Sequence, residues 1–263
     1  MEKYTEVNAK IIDRWIDDGW IWGKPVTKAV CEKARRGEWE VVLTPTVPVP
    51  KDWFPEFKGL KILGLASGGG QQMPIFSLLG ANCTVMDLSD KQRESEKLVS
   101  ERERYDIEIV KADMTMPFPF GDETFDLIFH PVSNCYIEDV YPVWRECYRV
   151  LCPSGILMSG LDNGLNFLFD DDEVGKPLIV TNALPFNPLK NPEQMEKLIE
   201  DDNGIQFSHT FDEQIGGQLK AGFVIVGAYE DFNDIGDESA TTEAKIPAFW
   251  ATKAVKPGVG WKL

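Results

Sequence analysis

Three consecutive glycines, Gly68, Gly69 and Gly70, stand between the apolar run "KILGL" and the segment "QQMPIFSLLG". Glycines at a turn from strand to helix let backbone N–H groups and the helix N-terminus approach a ligand with no Cβ in the way. Asp87 lies seventeen residues after Gly70, at the end of "CTVMDL". A carboxylate there can accept hydrogen bonds from both hydroxyls of a ribose. Leu88 beside it can pack on an adenine face, and Asp113 and Met114, closing "IEIVKADM", are placed for the adenine amino group and ring. His130 ends "FDLIFH", with an unperturbed pKa of about 6.5 that suits a general base. The rival role for His130 is to build the pocket. Ser133, Asn134, Cys135 and Tyr136 follow in the same loop and can orient a substrate.

These residues need strand ends gathered on one edge, and the pattern after residue 60 supplies them. Apolar runs at Lys61–Leu65, Cys83–Leu88, Ile107–Met114, Phe125–Val132 and Ile156–Asp162 read as strands. Between them, Gln71–Leu79 reads as a helix, "SDKQRESEKLVSERER" as a charged, solvent-facing one, and Asp139–Leu151 as an amphipathic one. In the last, Val140, Trp144, Cys147, Tyr148 and Leu151 form one apolar stripe. Alternating strands and helices predict a mostly parallel α/β sheet, covered on both faces, that binds ligands at its carboxyl edge.

The flanks depart from that pattern. Residues 1–58 read as a helical segment carrying Trp15, Trp20 and Trp22, then a polyproline-like extended arm through "LTPTVPVPKDWFPEF". The tryptophans suit either a core or a cover over the ligand edge. Residues 59–263 form the main domain, interrupted by an irregular, proline-bearing insertion at 163–206 with the acidic run Asp170–Glu173. Thr210 and Glu213 form a T-x-x-E capping box that opens a helix through Lys220. His209, just before it, reads as structural. "GFVIVGAYE" and "IPAFWATKAVK" read as two final strands joined by an acidic loop.

Composition narrows the function classes. The net charge of −16 repels phosphate backbones, so nucleic acid is not expected as a partner. Two histidines and five scattered cysteines without a C-x-x-C pair offer no metal-binding pattern, and the odd cysteine count suits free thiols in a reducing compartment. No apolar run approaches the roughly 18–20 residues of a membrane span, and the start lacks a signal-peptide core. A cytoplasmic protein without membrane contact is expected.

Spacing separates two cofactor classes. A dinucleotide fingerprint, G-x-G-x-x-G, would fall on Ala66, Gly68 and Gln71, and the shorter G-x-G-x-G on Ala66, Gly68 and Gly70, which fits better. With "ILGLASGGG", "GANCTVMDLSDKQ", "ADMTMPFPFGDETFDLIFH" and "VWRECYRVLCPSGILM" in that order, the chain resembles the class I S-adenosylmethionine-dependent methyltransferases, in particular the small-molecule enzymes of the type 11 group. The resemblance covers residues 59–162 strongly. It implies a Rossmann-like seven-stranded sheet of order 3-2-1-4-5-7-6 with an antiparallel last strand. It also implies S-adenosylmethionine as cofactor, S-adenosylhomocysteine as product and a small-molecule methyl acceptor.

The cofactor-binding set it implies is Ala66, Ser67, Gly68, Gly69, Gly70, Gln72, Asp87, Leu88, Asp113, Met114 and His130, with His130 also the candidate base. The chain departs from the family at Gly64, where an acidic residue is usual, and at Ala66, where the first motif glycine stands. Gln71 and Gln72 can take over the missing contact to the cofactor's methionine end. A non-catalytic S-adenosylmethionine-binding protein and an NAD-dependent dehydrogenase are the alternatives.

Overall fold

A computed structural model describes residues 3–169, 178–200, 202–232, 246–258 and 260. In chain order the elements are α1 (Tyr4–Asp17), α2 (Lys28–Arg35), β1 (Lys61–Leu65), α3 (Met73–Leu78), β2 (Asn82–Asp87), α4 (Asp90–Glu103), β3 (Glu108–Lys111), β4 (Phe125–His130), α5 (Tyr141–Val150), β5 (Leu151–Asp162), α6 (Pro192–Glu200), α7 (Gly217–Ala221), β6 (Val224–Asp231) and β7 (Phe249–Val255). The seven strands form one sheet of order β3-β2-β1-β4-β5-β7-β6, parallel except for β7, as expected. The parallel strands therefore end on a common edge. Among the described residues no helix is long and apolar enough to cross a membrane.

Each sheet face carries its own core. On one, Trp144 and Cys147 of α5 lie fully buried against Leu63, Ile128 and Leu157. The stripe expected for α5 is thus the face that packs. On the other, Phe54, Phe57, Phe76 and Phe129 stack at centroid distances of 5.3–6.3 Å, with Trp39 edge-on to the first two. Gly64 belongs here: a Cβ on it would sit 2.9 Å from the Met73 side chain. The missing family carboxylate leaves room for a core methionine.

Four local readings are revised by packing. The proline-rich arm is not an extended polyproline rod. It doubles back, with Val42 bridged to Pro48 and the Val49 N–H on the Val41 carbonyl, because Val41, Leu43 and Val49 bury their side chains. Helix α4 is not wholly solvent-facing, since Glu96, Val99 and Ser100 form a buried face. The insertion contains α6, which opens on Pro192 where a missing N–H costs nothing. The Thr210–Glu213 box forms reciprocally, but the helix it opens begins as a π turn over Asp212–Gly216 before α7. The acidic run Asp170–Glu173 and the acidic loop at 233–245 lie outside the described residues.

The glycine turn is tightly packed against α4. Gly69 and Gly70 have φ of +85° and +65°, the left-handed region that side chains resist. A Cβ on Gly70 would stand 2.8 Å from the Ser95 carbonyl oxygen and 2.9 Å from Val99 of α4. Gly70→Ala combines left-handed strain with overpacking, so it should lower the unfolding free energy by about 2–4 kcal/mol in urea titration.

Candidate functional site

The three glycine N–H groups are spent within the protein. Gly68 donates to Asp87 Oδ2 at 3.1 Å, Gly69 to the Gln92 carbonyl at 2.9 Å, and Gly70 to Glu96 Oε2 at 3.0 Å. A Cβ on Gly68 would fall 2.6 Å from Gln92 Cβ. The glycines clear space for α4 to seat on the turn, which corrects the expectation that they bring N–H groups to a ligand. Their partner Glu96 is fully buried, and burial lifts its carboxyl to about 8 against the pull of the Gly70 N–H and the Tyr105 hydroxyl.

A cavity of about 320 Å³ opens at the carboxyl edge of the sheet. Of the expected set, Ala66, Ser67, Gly68, Gln72, Asp87, Leu88, Asp113 and Met114 line it. Gly69, Gly70 and His130 do not. Asp87 ends β2 and accepts the Ser89 N–H at 2.9 Å as well as that of Gly68. Burial raises its carboxyl to about 6, although the Ser89 and Gly68 N–H groups favour the charge. Gln72 is buried, with its Oε1 taking the Ser67 hydroxyl at 3.2 Å. Gln71 also lines the cavity, but its amide is spent on the Ile21 and Lys24 carbonyls. Ala66 takes φ of +45°, keeping the backbone path of the absent glycine.

Asp113 is committed elsewhere than the adenine role assigned to it. Its Oδ2 accepts Lys3 Nζ at 2.7 Å and Thr5 Oγ1 at 2.8 Å, and its Oδ1 accepts the Thr115 N–H and hydroxyl. Burial pushes this carboxyl up, yet the Lys3 and Thr115 hydrogen bonds outweigh it and hold it below the usual range. The residue clasps the start of α1.

Helix α1 roofs the cavity through further polar ties. Asn8 exchanges two 2.8 Å bonds with the Ile205 backbone, and Asp13 accepts the Ser89 hydroxyl and the Lys91 N–H at the start of α4. Trp20 and Trp22 line the cavity, while Trp15 packs on Trp20 and Tyr136. The other wall comes from the doubled-back arm. The Leu43 carbonyl accepts the Val132 N–H at 3.0 Å, and a Cβ on Gly160 would lie 2.0 Å from that same oxygen. Asp231 holds the arm's bend by taking the Thr46 and Val47 N–H groups.

His130 lies beneath the floor. It is fully buried, with Nδ1 2.9 Å from the Leu65 carbonyl and Nε2 2.9 Å from Asn134 Oδ1. Burial pushes its pKa down, and the two hydrogen bonds only partly oppose this. With no cavity surface and its two nitrogens turned to the Leu65 carbonyl and the Asn134 side chain, the ring has no reach to an acceptor; it braces the loop that carries Ser133, Cys135 and Tyr136. His209, bonded at 3.0 Å to the Asn134 carbonyl, braces the same loop.

The family profile described as a methyltransferase domain matches residues 63–159. Over 252 residues the chain is 42% identical to a protein of Bacillus subtilis described as uncharacterized methyltransferase YbaJ, covering 95% of this chain and 97% of that one. The chain belongs to the class I S-adenosylmethionine-dependent methyltransferases. Methyltransferase phqN of Penicillium fellutanum is 27% identical over 203 residues, 76% of this chain and 54% of that one. A solved S-adenosylmethionine-dependent methyltransferase from Mesorhizobium loti superposes with a TM-score of 0.60 at 19% identity, over 78% of this chain and 94% of that one, a likeness of fold.

In this methyltransferase the profile spans β1 to most of β5 and stops short of much of the cavity wall. Asn8, Leu43, Asp162 and Phe249 line the cavity from outside the matched region and were not among the expected residues. Asp162 was findable by the strand-end rule that located Asp87. Asn8 and Leu43 carry no local signal, because their roles exist only once distant segments meet.

The buried Glu96 makes the glycine turn pH-sensitive. The folded protein holds this proton up to about pH 8, against 4.5 for an ordinary glutamate. Its stability contribution is therefore full below pH 4.5 and lost as pH rises through 8. Glu96→Gln keeps an acceptor for the Gly70 N–H without the titration. Urea unfolding should find this variant more stable than the unmodified protein at pH 8, with the difference shrinking toward pH 5.

Proposed function

We propose that this methyltransferase acts on a small-molecule acceptor enclosed between α1, the folded-back arm and the carboxyl edge of the sheet. The observation that carries the reading is the roofed cavity of about 320 Å³, with Asp87 at the end of β2 and Gln72 at the start of α3 both in its lining. Its shape suits a small molecule better than a polymer strand, and among the described residues no lysine, arginine or histidine lines it to meet a phosphate backbone.

The residues present fit the family's cofactor. Asp87 keeps acceptor capacity toward the cavity for ribose hydroxyls, since each carboxylate oxygen takes more than one hydrogen bond. Leu88 and Met114 offer apolar surface to an adenine, and the Gln72 amide is positioned for the methionine end. S-adenosylmethionine, when bound, supplies a methyl group on a sulfonium, activated for in-line displacement. The protein's part is alignment and exclusion of water. The α1 roof, Trp20 and Trp22 shield the reacting centre, and Leu43 and Val132 set the wall against which an acceptor is pressed. His130 acts as a positioning residue by holding the 133–137 loop.

Calorimetry tests the reading. S-adenosylmethionine and S-adenosylhomocysteine should bind and NAD should not; binding of NAD alone would sink it. Asp87→Ala removes charge-assisted bonds of about 1.5–3 kcal/mol, so affinity should fall roughly tenfold to hundredfold. Because ribose donors favour the ionised carboxylate, affinity of the unmodified protein should also weaken as pH drops below about 6.

A further inference from the structure

Gln214 is fully buried yet lines no part of the cavity. It sits in the π turn over Asp212–Gly216 that precedes α7, a helical form that is rare and recurs at functional sites. The Trp144 indole of α5 donates to the Glu213 carbonyl of that turn at 3.0 Å, and Gly217 makes room for the same indole. The Gln214 side-chain amide meets that of Asn134 at 2.9 Å, and Asn134 in turn meets His130 Nε2 at 2.9 Å. All three side chains are buried. The same stretch of chain grips the 133–137 loop twice more, through the Phe207 N–H on the Cys135 carbonyl at 2.7 Å and His209 Nε2 on the Asn134 carbonyl at 3.0 Å.

The direction of these bonds follows from their far end. The Leu65 carbonyl can only accept, so His130 Nδ1 carries a hydrogen. The Ser133 hydroxyl, 3.4 Å from Nδ1, spends its own hydrogen on the Pro131 carbonyl at 3.0 Å. With Asn134 Oδ1 on Nε2, the ring would need a second hydrogen and a positive charge. Burial disfavours that charge, and no carboxylate is among the ring's hydrogen-bond partners. Nε2 is then an acceptor, and Asn134 presents its NH2 group to it. A half-turn exchanges the oxygen and nitrogen of a side-chain amide, so its partners set their order. Once Asn134 is turned, its oxygen faces Gln214, and Gln214 must donate. The opposite order leaves Gln214 Nε2 buried with no partner among the described residues, which folded proteins rarely tolerate.

The bonds reach the cavity at two places. Leu65 leads into Ala66, Ser67 and Gly68, and Asn134 stands between Ser133 and Cys135; these five neighbours all line it. We propose that Gln214 is a positioning residue of the cavity: its amide donates to Asn134, Asn134 donates to His130 Nε2, and the His130 Nδ1–H holds the Leu65 carbonyl, so that the π turn sets the glycine turn and the 133–137 loop together. The inference deepens the methyl-transfer reading above and rests on it for what the cavity holds.

The test joins nitrogen-15 NMR of the full chain, labelled at its two histidines, with calorimetry of S-adenosylhomocysteine. At neutral pH His130 should show a hydrogen on Nδ1 and a bare Nε2. Gln214→Met removes the donor while keeping the side chain's length. It should shift the His130 Nε2 signal and weaken S-adenosylhomocysteine binding about threefold to tenfold. Gln218→Met is the control, because it removes an equally buried bond, the one from the Thr252 hydroxyl at 3.1 Å, without touching Asn134. It should leave both readouts unchanged, whatever its melting temperature. A hydrogen on His130 Nε2 would overturn the proposal. So would a Gln214→Met protein that melts earlier but keeps the unmodified spectrum and affinity, or equal effects of the two variants. Should the variants fail to fold, the His130 spectrum of the unmodified protein decides. Failure of S-adenosylhomocysteine to bind the unmodified chain would instead overturn the methyl-transfer reading, with that spectrum still deciding the order of the bonds.

Discussion

The fold of this site depends on the seam between the Gly68–Gly70 turn and α4. Three successive N–H groups are satisfied by the Asp87 carboxylate, the Gln92 carbonyl and the Glu96 carboxyl, and the missing side chains let helix and turn touch. Burying a carboxyl is costly unless hydrogen bonds meet it, and Glu96 meets two donors. The same seam aims Asp87, because the Gly68 N–H pins one of its oxygens and the Ser89 N–H the other. The α4 start then anchors the roof through Asp13, and the Gly70 carbonyl holds the Val26 N–H beyond it. The carboxyl edge of the sheet and the α1 roof are fastened to one junction.

The roof is a polar closure. Hydrogen bonds tie α1 to three separate chain regions: Lys3 and Thr5 donate to Asp113, Asn8 pairs with the Ile205 backbone, and Asp13 accepts from the start of α4. Hydrogen bonds exchange with water at small net gain, about 0.5–1.5 kcal/mol each. A helix held this way can be released at moderate cost, whereas α5, fully buried along Val143, Trp144 and Cys147, cannot. The fold thus combines an apolar core with a largely polar attachment of α1 over the carboxyl edge.

The division between the two halves of the cavity follows the chain. One side of the cavity comes from the ends of β1, β2 and β3, within the region that matches the family profile. The facing side draws on the arm around Leu43, the β5 end at Asp162, Gln206 and the β7 start at Phe249. Profile similarity therefore reaches the first side and stops before most of the second.

Periodicity determined the strands and the α5 stripe, the family resemblance their order, and the strand-end pattern the place of Asp87, whereas Met114 lies past the end of β3 at Lys111. Those features are local: an apolar run, its length and the residue that terminates it. The glycine turn was located correctly but explained by the wrong partner, because a sequence shows that side chains are absent without showing what fills the space. Helix α4 filled it, and its buried Glu96 was hidden in a run of charges. His130 sits at a strand end as expected, yet its ring turns down to Leu65 and Asn134 instead of into the cavity. Asp113 met Lys3 and Thr5 more than a hundred residues away. The arm's fold-back, the Asn8–Ile205 clasp and the meeting of Asp162 with Phe249 were likewise decided only in three dimensions. Each depends on a partner distant in the chain, and hydrogen-bond partners and side-chain direction carry no signal in the spacing of either segment.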